Sequence, residues 1–329
     1  MVELIAEIGS VHDGSFGNAF RLIELSKEVG ATAVKFQMHI AEEESTINAP
    51  EPYYFKGENR FDYFKRTSFN DLQWAKLRDK AKEIGIGFIV SPFSIEAFKK
   101  LEKLNIDAYK IASGEVTNIP LLENISLSQK PVYLSSGMSS FEEINTAIEI
   151  FKNKSQLTLM QCTSMYPCKP EYVGLNVIGQ FKEKYNLKIG YSDHTTTNTA
   201  ALLAVANGAF SIEKHLTFSR KMYGSDAPYA SEPMQFKMLS NALKEASLMV
   251  NNKIDKDSLS LDLKEMKRVF EKSIVAKKNL NKGHIIKPDD LAYKKPGGGI
   301  KPYLYKSLLG KKLKKDLNFD DMFNHNDFF

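Results

Sequence analysis

Short apolar segments alternate with amphipathic helical segments eight times over the first ~250 residues, the count and length of a (β/α)8 barrel. The strand-like segments are 3–9, 33–40, 87–91, 108–112, 131–136, 157–163, 188–193 and 210–216. Helical spacing shows first in Ala19, Leu22, Ile23, Ser26 and Val29, ending at Gly30. Further helices are expected over 72–84, 96–104 and 197–206, with a long polar loop from about 41 to 70. Ser140 and Glu143 form a capping box ahead of Ile144, Ala147, Ile148 and Phe151. Ser231 is expected to cap a last helix running to about Val250. A doubly wound open sheet would usually carry a glycine-rich phosphate loop after its first strand. Residues 9–14 hold no GxGxxG, so the barrel is preferred.

In a parallel barrel both strand faces are buried, so strands should be almost wholly apolar. These are not. The second strand alternates Lys35, Gln37 and His39 with Val34, Phe36 and Met38, and the eighth places Ser211, Glu213 and His215 on one face. An ion-paired, filled barrel centre accounts for some of these residues. Barrel chemistry, however, sits at the C-terminal strand ends. Glu7, Lys35, Gln37, Ser91, Lys110, Ser113, Glu115, Ser135, Ser136, Tyr166, Ser192, His194 and His215 all fall at or just beyond such ends.

His194 and His215 follow consecutive strands. Two imidazoles so placed can converge on one metal ion, although either alone reads as an ordinary polar loop residue. Lys35 and Lys110, if both face the mouth, favour a polyanion such as a small phosphate ester or carboxylate. Ser91, Ser113 and Ser135 add neutral donors, and each alone could equally cap a helix. Glu115, in the loop after the fourth strand, is a candidate general base or water-orienting group. Together these suggest metal-assisted chemistry between a phosphorylated anion and a carbonyl compound.

Composition limits the alternatives. The 329 residues exceed the size, roughly 250–300, at which one core stops growing. A barrel over 1–252, a polar linker over 253–271 and a small β-rich domain over 272–329 are expected. Hydrophobic content of 43% and charged content of 26% describe an ordinary globular protein. The net charge of +5 is spread along the chain and gives no case for nucleic acid. No apolar run suits a membrane span, and no signal peptide is evident, so a cytoplasmic protein is expected. Cys162 and Cys168 match no zinc or redox spacing and read as reduced structural thiols. The Pro296–Gly299 stretch reads as a flexible loop.

The segments IAEIGSVHDG, VKFQ, SPFS, YKIASGE, LSSGM, QCTSMYP, YSDHT and EKHLT, in that order, resemble the sialic acid synthase family, which makes nonulosonic acids. The tail, with KKPGGGI, resembles that family's C-terminal antifreeze-like (SAF, β-clip) domain. The resemblance implies condensation of phosphoenolpyruvate with an N-acylated mannosamine-type sugar, releasing phosphate, with a divalent metal (Mn2+ or Mg2+) as cofactor. It implies His194 and His215 as metal ligands. Lys35, Ser91, Lys110, Ser113, Ser135 and Ser192 would hold phosphoenolpyruvate, and Gln37, Tyr166 and Asp226 would line the sugar and metal region. Glu115, Glu7 and Lys110 would be the catalytic groups. A domain-swapped homodimer is also implied. Three positions depart from the pattern: Val11 stands where asparagine is usual, Ser164 where asparagine is frequent, and Lys295 where an arginine reaches the sugar's N-acyl group. Lysine keeps the charge and loses the planar fork. A 2,4-diacetamido-6-deoxy hexose is the alternative acceptor, as in legionaminic or pseudaminic acid synthases. A class I aldolase using Lys110 or Lys35 as a Schiff base, and a non-catalytic sugar- or ice-binding protein, remain as different readings.

Overall fold

In the computed structural model, which describes residues 2–51, 57–151, 156–258 and 260–329, eight parallel strands close into a barrel in sequence order. They are β1 (Glu3–Gly9), β2 (Ala33–Met38), β3 (Gly87–Pro92), β4 (Ala108–Ile111), β5 (Val132–Ser135), β6 (Leu157–Cys162), β7 (Lys188–Asp193) and β8 (Ser211–His215). β8 pairs back onto β1, with Glu7 beside His215. Helices follow each strand. Their apolar faces pack on the outward residues of the strands in one large core that includes Ala6, Ile8, Val34, Phe36, Val90, Tyr109, Leu134, Leu159 and Ile212.

The inward residues sort by height. Ile5, Ala33, Ile89, Ala108, Tyr133 and Met160 form a separate apolar plug. Two residues further along the same strands stand Glu7, Lys35, Ser91, Lys110, Ser135 and Cys162. Because strand side chains alternate with a period of two, each of these shares the inner face with the plug residue below it. The bore therefore carries an apolar layer beneath the polar layer at its C-terminal end.

Local signals account for most helix starts. Ser140 and Glu143 make the expected reciprocal capping box, and Asn70 and Gln73 make another. The expectation for Ser231 fails by one residue. The last barrel helix is Pro233–Asn251 with Glu232 at the N-cap position, because Pro233 presets the first helical turn. Ser231 instead bridges in parallel to Leu216. The stretch expected as one long loop contains helices Ala41–Glu44 and Arg60–Thr67, the latter capped by Asn59. Residues 52–56 of that stretch lie outside the described residues.

The chain divides into two compact units, Met1–Asn252 and Lys253–Phe329. In the second, the segment read as a linker forms helix Leu261–Phe270, capped by Ser260. Among the described residues its regular sheet is the antiparallel pair β9 (Ser273–Ala276) and β10 (Leu291–Lys294). Isolated bridges and short 3-10 turns surround a core of Ile274, Leu280, Ile286, Leu313, Phe323 and others. The Pro296–Gly299 loop, expected to be flexible, is pinned. Ser273 Oγ donates to Pro296 O at 2.8 Å and accepts from Gly299 N at 3.0 Å, and Gly297 N donates to Arg268 O at 2.7 Å. Among the described residues no helix is long and apolar enough to cross a membrane.

Candidate active site

Four ions meet at the polar end of the bore. Lys110 Nζ donates to Glu213 Oε2 at 2.6 Å. Lys35 Nζ lies 3.5 Å from Glu213 Oε1 and 3.0 Å from Glu7 Oε2. All four residues are at most 4% exposed. Burial alone would lower the pKa of either lysine. It does so for Lys110, whereas for Lys35 the charges of Glu213 and Glu7 outweigh it and raise the pKa. Glu213 is driven the other way: burial opposes its charge, but Lys110 and Lys35 hold it well below the usual carboxylate range.

Serines extend the cluster. Ser192 Oγ donates to Glu213 Oε1 at 3.0 Å, and Lys35 Nζ donates to Ser91 Oγ at 3.5 Å. Ser135 is buried at the end of β5. Ser113, Cys162 and Ser164 converge above them on Gly137. A Cβ there would sit 2.4 Å from Ser164 Oγ, 2.6 Å from Cys162 Sγ and 2.7 Å from Ser113 Oγ, so only glycine fits. Gly137 N donates to Ser113 Oγ at 3.1 Å.

A second line runs from Glu7 across the mouth. Gln37 Nε2 donates to Glu7 Oε1 at 2.6 Å, and Gln37 Oε1 lies 3.0 Å from His39 Nε2. The His39 ring is stacked between Phe64 and Phe93 and meets Glu44 through Nδ1 at 2.9 Å. Glu115 lies on the turn after β4, its Oε2 accepting from Asn118 Nδ2 at 2.7 Å. Burial pushes its carboxyl pKa up.

The two imidazoles stand at the strand ends with ring centroids 5.9 Å apart, and Tyr166 packs against both. His194 Nδ1 is 2.8 Å from Thr163 O, which makes that nitrogen the donor and leaves Nε2 with its lone pair. Burial lowers the His194 pKa to about 4, so the ring is neutral at pH 7. His215 Nδ1 is buried without a hydrogen-bond partner among the described residues. Asp226 is anchored beside them: Ser10 N and Ser10 Oγ both donate to its Oδ2, at 2.8 and 2.9 Å. Burial opposes its charge, but His215 and the Ser10 donors hold its pKa below the ordinary value. Its approach requires Gly9, where a Cβ would lie 2.3 Å from Asp226 Oδ2 and φ is +52°.

The structure thus brings together Glu7, Lys35, Gln37, Ser91, Lys110, Ser113, Glu115, Ser135, Ser164, Tyr166, Ser192, His194, His215 and Asp226 at one end of the bore. Lys295 is on the second unit, exposed, with Nζ 4.7 Å above the Phe270 ring. Val11, which stands where asparagine is usual, is fully buried in the outer core. Its side chain packs among apolar neighbours there. The lysines are not the open cationic pair that the sequence suggested, because Glu213 lies between them. Glu213 shares the face of His215, where an ion-paired centre is expected for some residues but Glu213 is not singled out; its spacing two residues before a candidate ligand is the available signal. Ser10 carried no signal, since its partner is 216 residues away.

Comparison with known proteins agrees with this fold. The NeuB family profile matches residues 22–255, and the SAF domain profile matches 271–328. The chain is 34% identical to the N,N'-diacetyllegionaminic acid synthase of Campylobacter jejuni, covering 97% of this chain and 98% of that one. It is 32% identical to a pseudaminic acid synthase of the same species, covering 99% and 96%. Among solved structures, the N-acetylneuraminic acid (sialic acid) synthetase of Leptospira borgpetersenii, in complex with citrate, superposes with a TM-score of 0.72 at 32% identity, covering 81% of this chain and 90% of that one.

Proposed function

The chain belongs to the NeuB family, and from that footing we propose that it condenses phosphoenolpyruvate with the open-chain aldehyde of an N-acylated mannosamine-type sugar. One observation carries the reading: two buried lysines, laced by serines, lie beneath a pair of imidazoles at the same end of the bore. A trianionic phosphoenolpyruvate is the kind of ligand that would compete with Glu213 and Glu7 for Lys35 and Lys110, with Ser91, Ser113, Ser135 and Ser192 as donors to its oxygens.

The residues fit a divalent ion. His194 presents Nε2 because Thr163 O occupies Nδ1, and His215 Nδ1 is an orphaned buried atom. Among the described residues, no group of three or more histidine, cysteine or acidic side chains is placed to hold an ion, so this histidine pair would be the protein's contribution. Two imidazole donors suit manganese better than magnesium, which favours all-oxygen sets. Bound there, the ion supplies Lewis-acid polarisation of the aldehyde oxygen.

In the proposed reaction, C3 of phosphoenolpyruvate bonds to the aldehyde carbon, and the aldehyde oxygen gains a proton. Water adds at C2, the C2–O bond to phosphorus breaks, and inorganic phosphate leaves. Glu115, with its raised carboxyl pKa, takes the proton of that water. Gln37, fixed by Glu7 and His39, orients sugar hydroxyls. The same chemistry on a 2,4-diacetamido-6-deoxy hexose is the second reading, supported by the 34% identity to the legionaminic acid synthase. The reading extends to a homodimer, which light scattering tests.

The test is phosphate release from phosphoenolpyruvate, with and without Mn2+, across N-acetylmannosamine, its 2,4-diacetamido-6-deoxy analogue and the related altrose. Metal-dependent release with one acceptor supports the reaction and names the acceptor. Release without metal overturns the ion's role. No release from folded, metal-loaded protein overturns the proposed acceptor class.

A further inference from the structure

Asp193 and Lys214 are buried barrel ions that the reaction does not use. Strand register pairs Ser192 with Glu213 and Asp193 with Lys214, and the next residue on each strand is His194 or His215. Side chains alternate, so the Ser192–Glu213 rung faces the bore and the Asp193–Lys214 rung faces the opposite way.

The outward rung is tightly built. Lys214 Nζ lies 2.6 Å from Asp193 Oδ2, with side-chain exposures of 2% and 0%. It also donates to Thr195 O at 2.8 Å and Thr197 O at 3.0 Å, which uses all three ammonium protons. Asp193 Oδ1 accepts from Thr195 N at 2.9 Å and from Tyr191 OH at 3.3 Å. The residues on both sides of His194 are therefore tied to the residue immediately before His215. Burying two ions is costly, and an apolar pair of equal volume is often as stabilising or more so. Stability alone does not call for this pair.

We infer that Asp193 and Lys214 are positioning residues: from the outer face of the barrel they set the separation and orientation of the His194 and His215 imidazoles. The inference rests on the proposal that these rings share an ion, and its test separates the two.

Lys214→Met keeps the length and removes the charge. Asp193→Asn keeps the shape and the acceptor for Thr195 N. Mn2+ affinity of the full chain is read from the electron paramagnetic resonance signal of free ion, beside thermal melting and 15N-histidine spectra of metal-free protein. Both variants should fold and bind Mn2+ about 10–100-fold more weakly, as loss of an outer-shell support does. In both, His194 should lose its single Nδ1–H tautomer. Folded variants with wild-type affinity and tautomer overturn the inference. So does failure of both to fold, which would make the pair a folding element. If the wild-type chain binds no Mn2+, the metal reading falls, and the spectra decide the positioning role alone: a lost tautomer supports it and a retained one overturns it.

Discussion

The barrel and the small unit both bury ionised side chains, but against different partners. In the barrel, Glu7, Lys35, Lys110 and Glu213 face one another across the bore, drawn from four strands. In the small unit, Asp290 and Asp327 are buried against the start of their own turns. Asp290 Oδ2 accepts from Lys287 N at 2.8 Å and Asp327 Oδ2 from Asn324 N at 2.8 Å, each three residues back. Exposed lysines then approach their outer oxygens, Lys278 at one and Lys315 at the other. The first arrangement holds charge at the polar, C-terminal end of the bore. The second replaces a helix cap and holds a turn. In the bore the partners come from separate strands, and in the small unit they come from within a turn.

The largest expected effect falls on function alone. His215→Ala should abolish turnover by removing a metal ligand while thermal stability stays near wild type; normal turnover would overturn the metal assignment. Next comes Glu213→Ala, which leaves two buried ammonium groups facing each other. Breaking one side of such a cluster costs about 3–5 kcal/mol, readable as a lower denaturation midpoint. A loss below about 1 kcal/mol would show that the bore is wetter than its burial implies.

The small unit should respond to acid instead. Burial would push the Asp290 carboxyl up, but Lys278, His284 and the Lys287 N–H outweigh it and hold the pKa at about 2. A carboxyl depressed on folding stabilises the unit above its unfolded pKa, and that contribution is lost as pH falls from about 4 to 2. It amounts to about 2 kcal/mol. Tyrosine fluorescence or amide exchange from the small unit should report loosening in that window, and Asp290→Asn should remove the dependence. An unchanged acid profile in Asp290→Asn would place the sensitivity elsewhere. The smallest effect is expected for Lys295→Arg. Arginine keeps the cation over the Phe270 ring, so stability should change by less than about 0.5 kcal/mol. A larger loss in melting temperature would mean that the loop needs the ammonium itself.

Much of this was legible in the chain. Period-two polarity on strands that ought to be apolar marked the bore-facing residues, because a parallel barrel leaves no solvent face to explain them. Ser140 with Glu143 marked a helix start, because capping is decided within four residues. The order of motifs marked the family and the candidate ligands. Where local signals competed, the sequence misled: Pro233 moved a helix start away from Ser231, and two helices, one of them capped by Asn59, occupied part of a supposed loop.

What only the tertiary structure decided were pairings across distance. Lys110 and Glu213 are 103 residues apart, and Ser10 and Asp226 are 216 apart. No local propensity encodes such contacts; they follow from barrel closure and strand register. Register likewise turned two similar tripeptides, Ser192–His194 and Glu213–His215, into two matched rungs, Ser192 with Glu213 and Asp193 with Lys214, each followed by a histidine. Composition and spacing show that the charges are present, and closure of the sheet decides which of them neutralise one another and which remain available for chemistry.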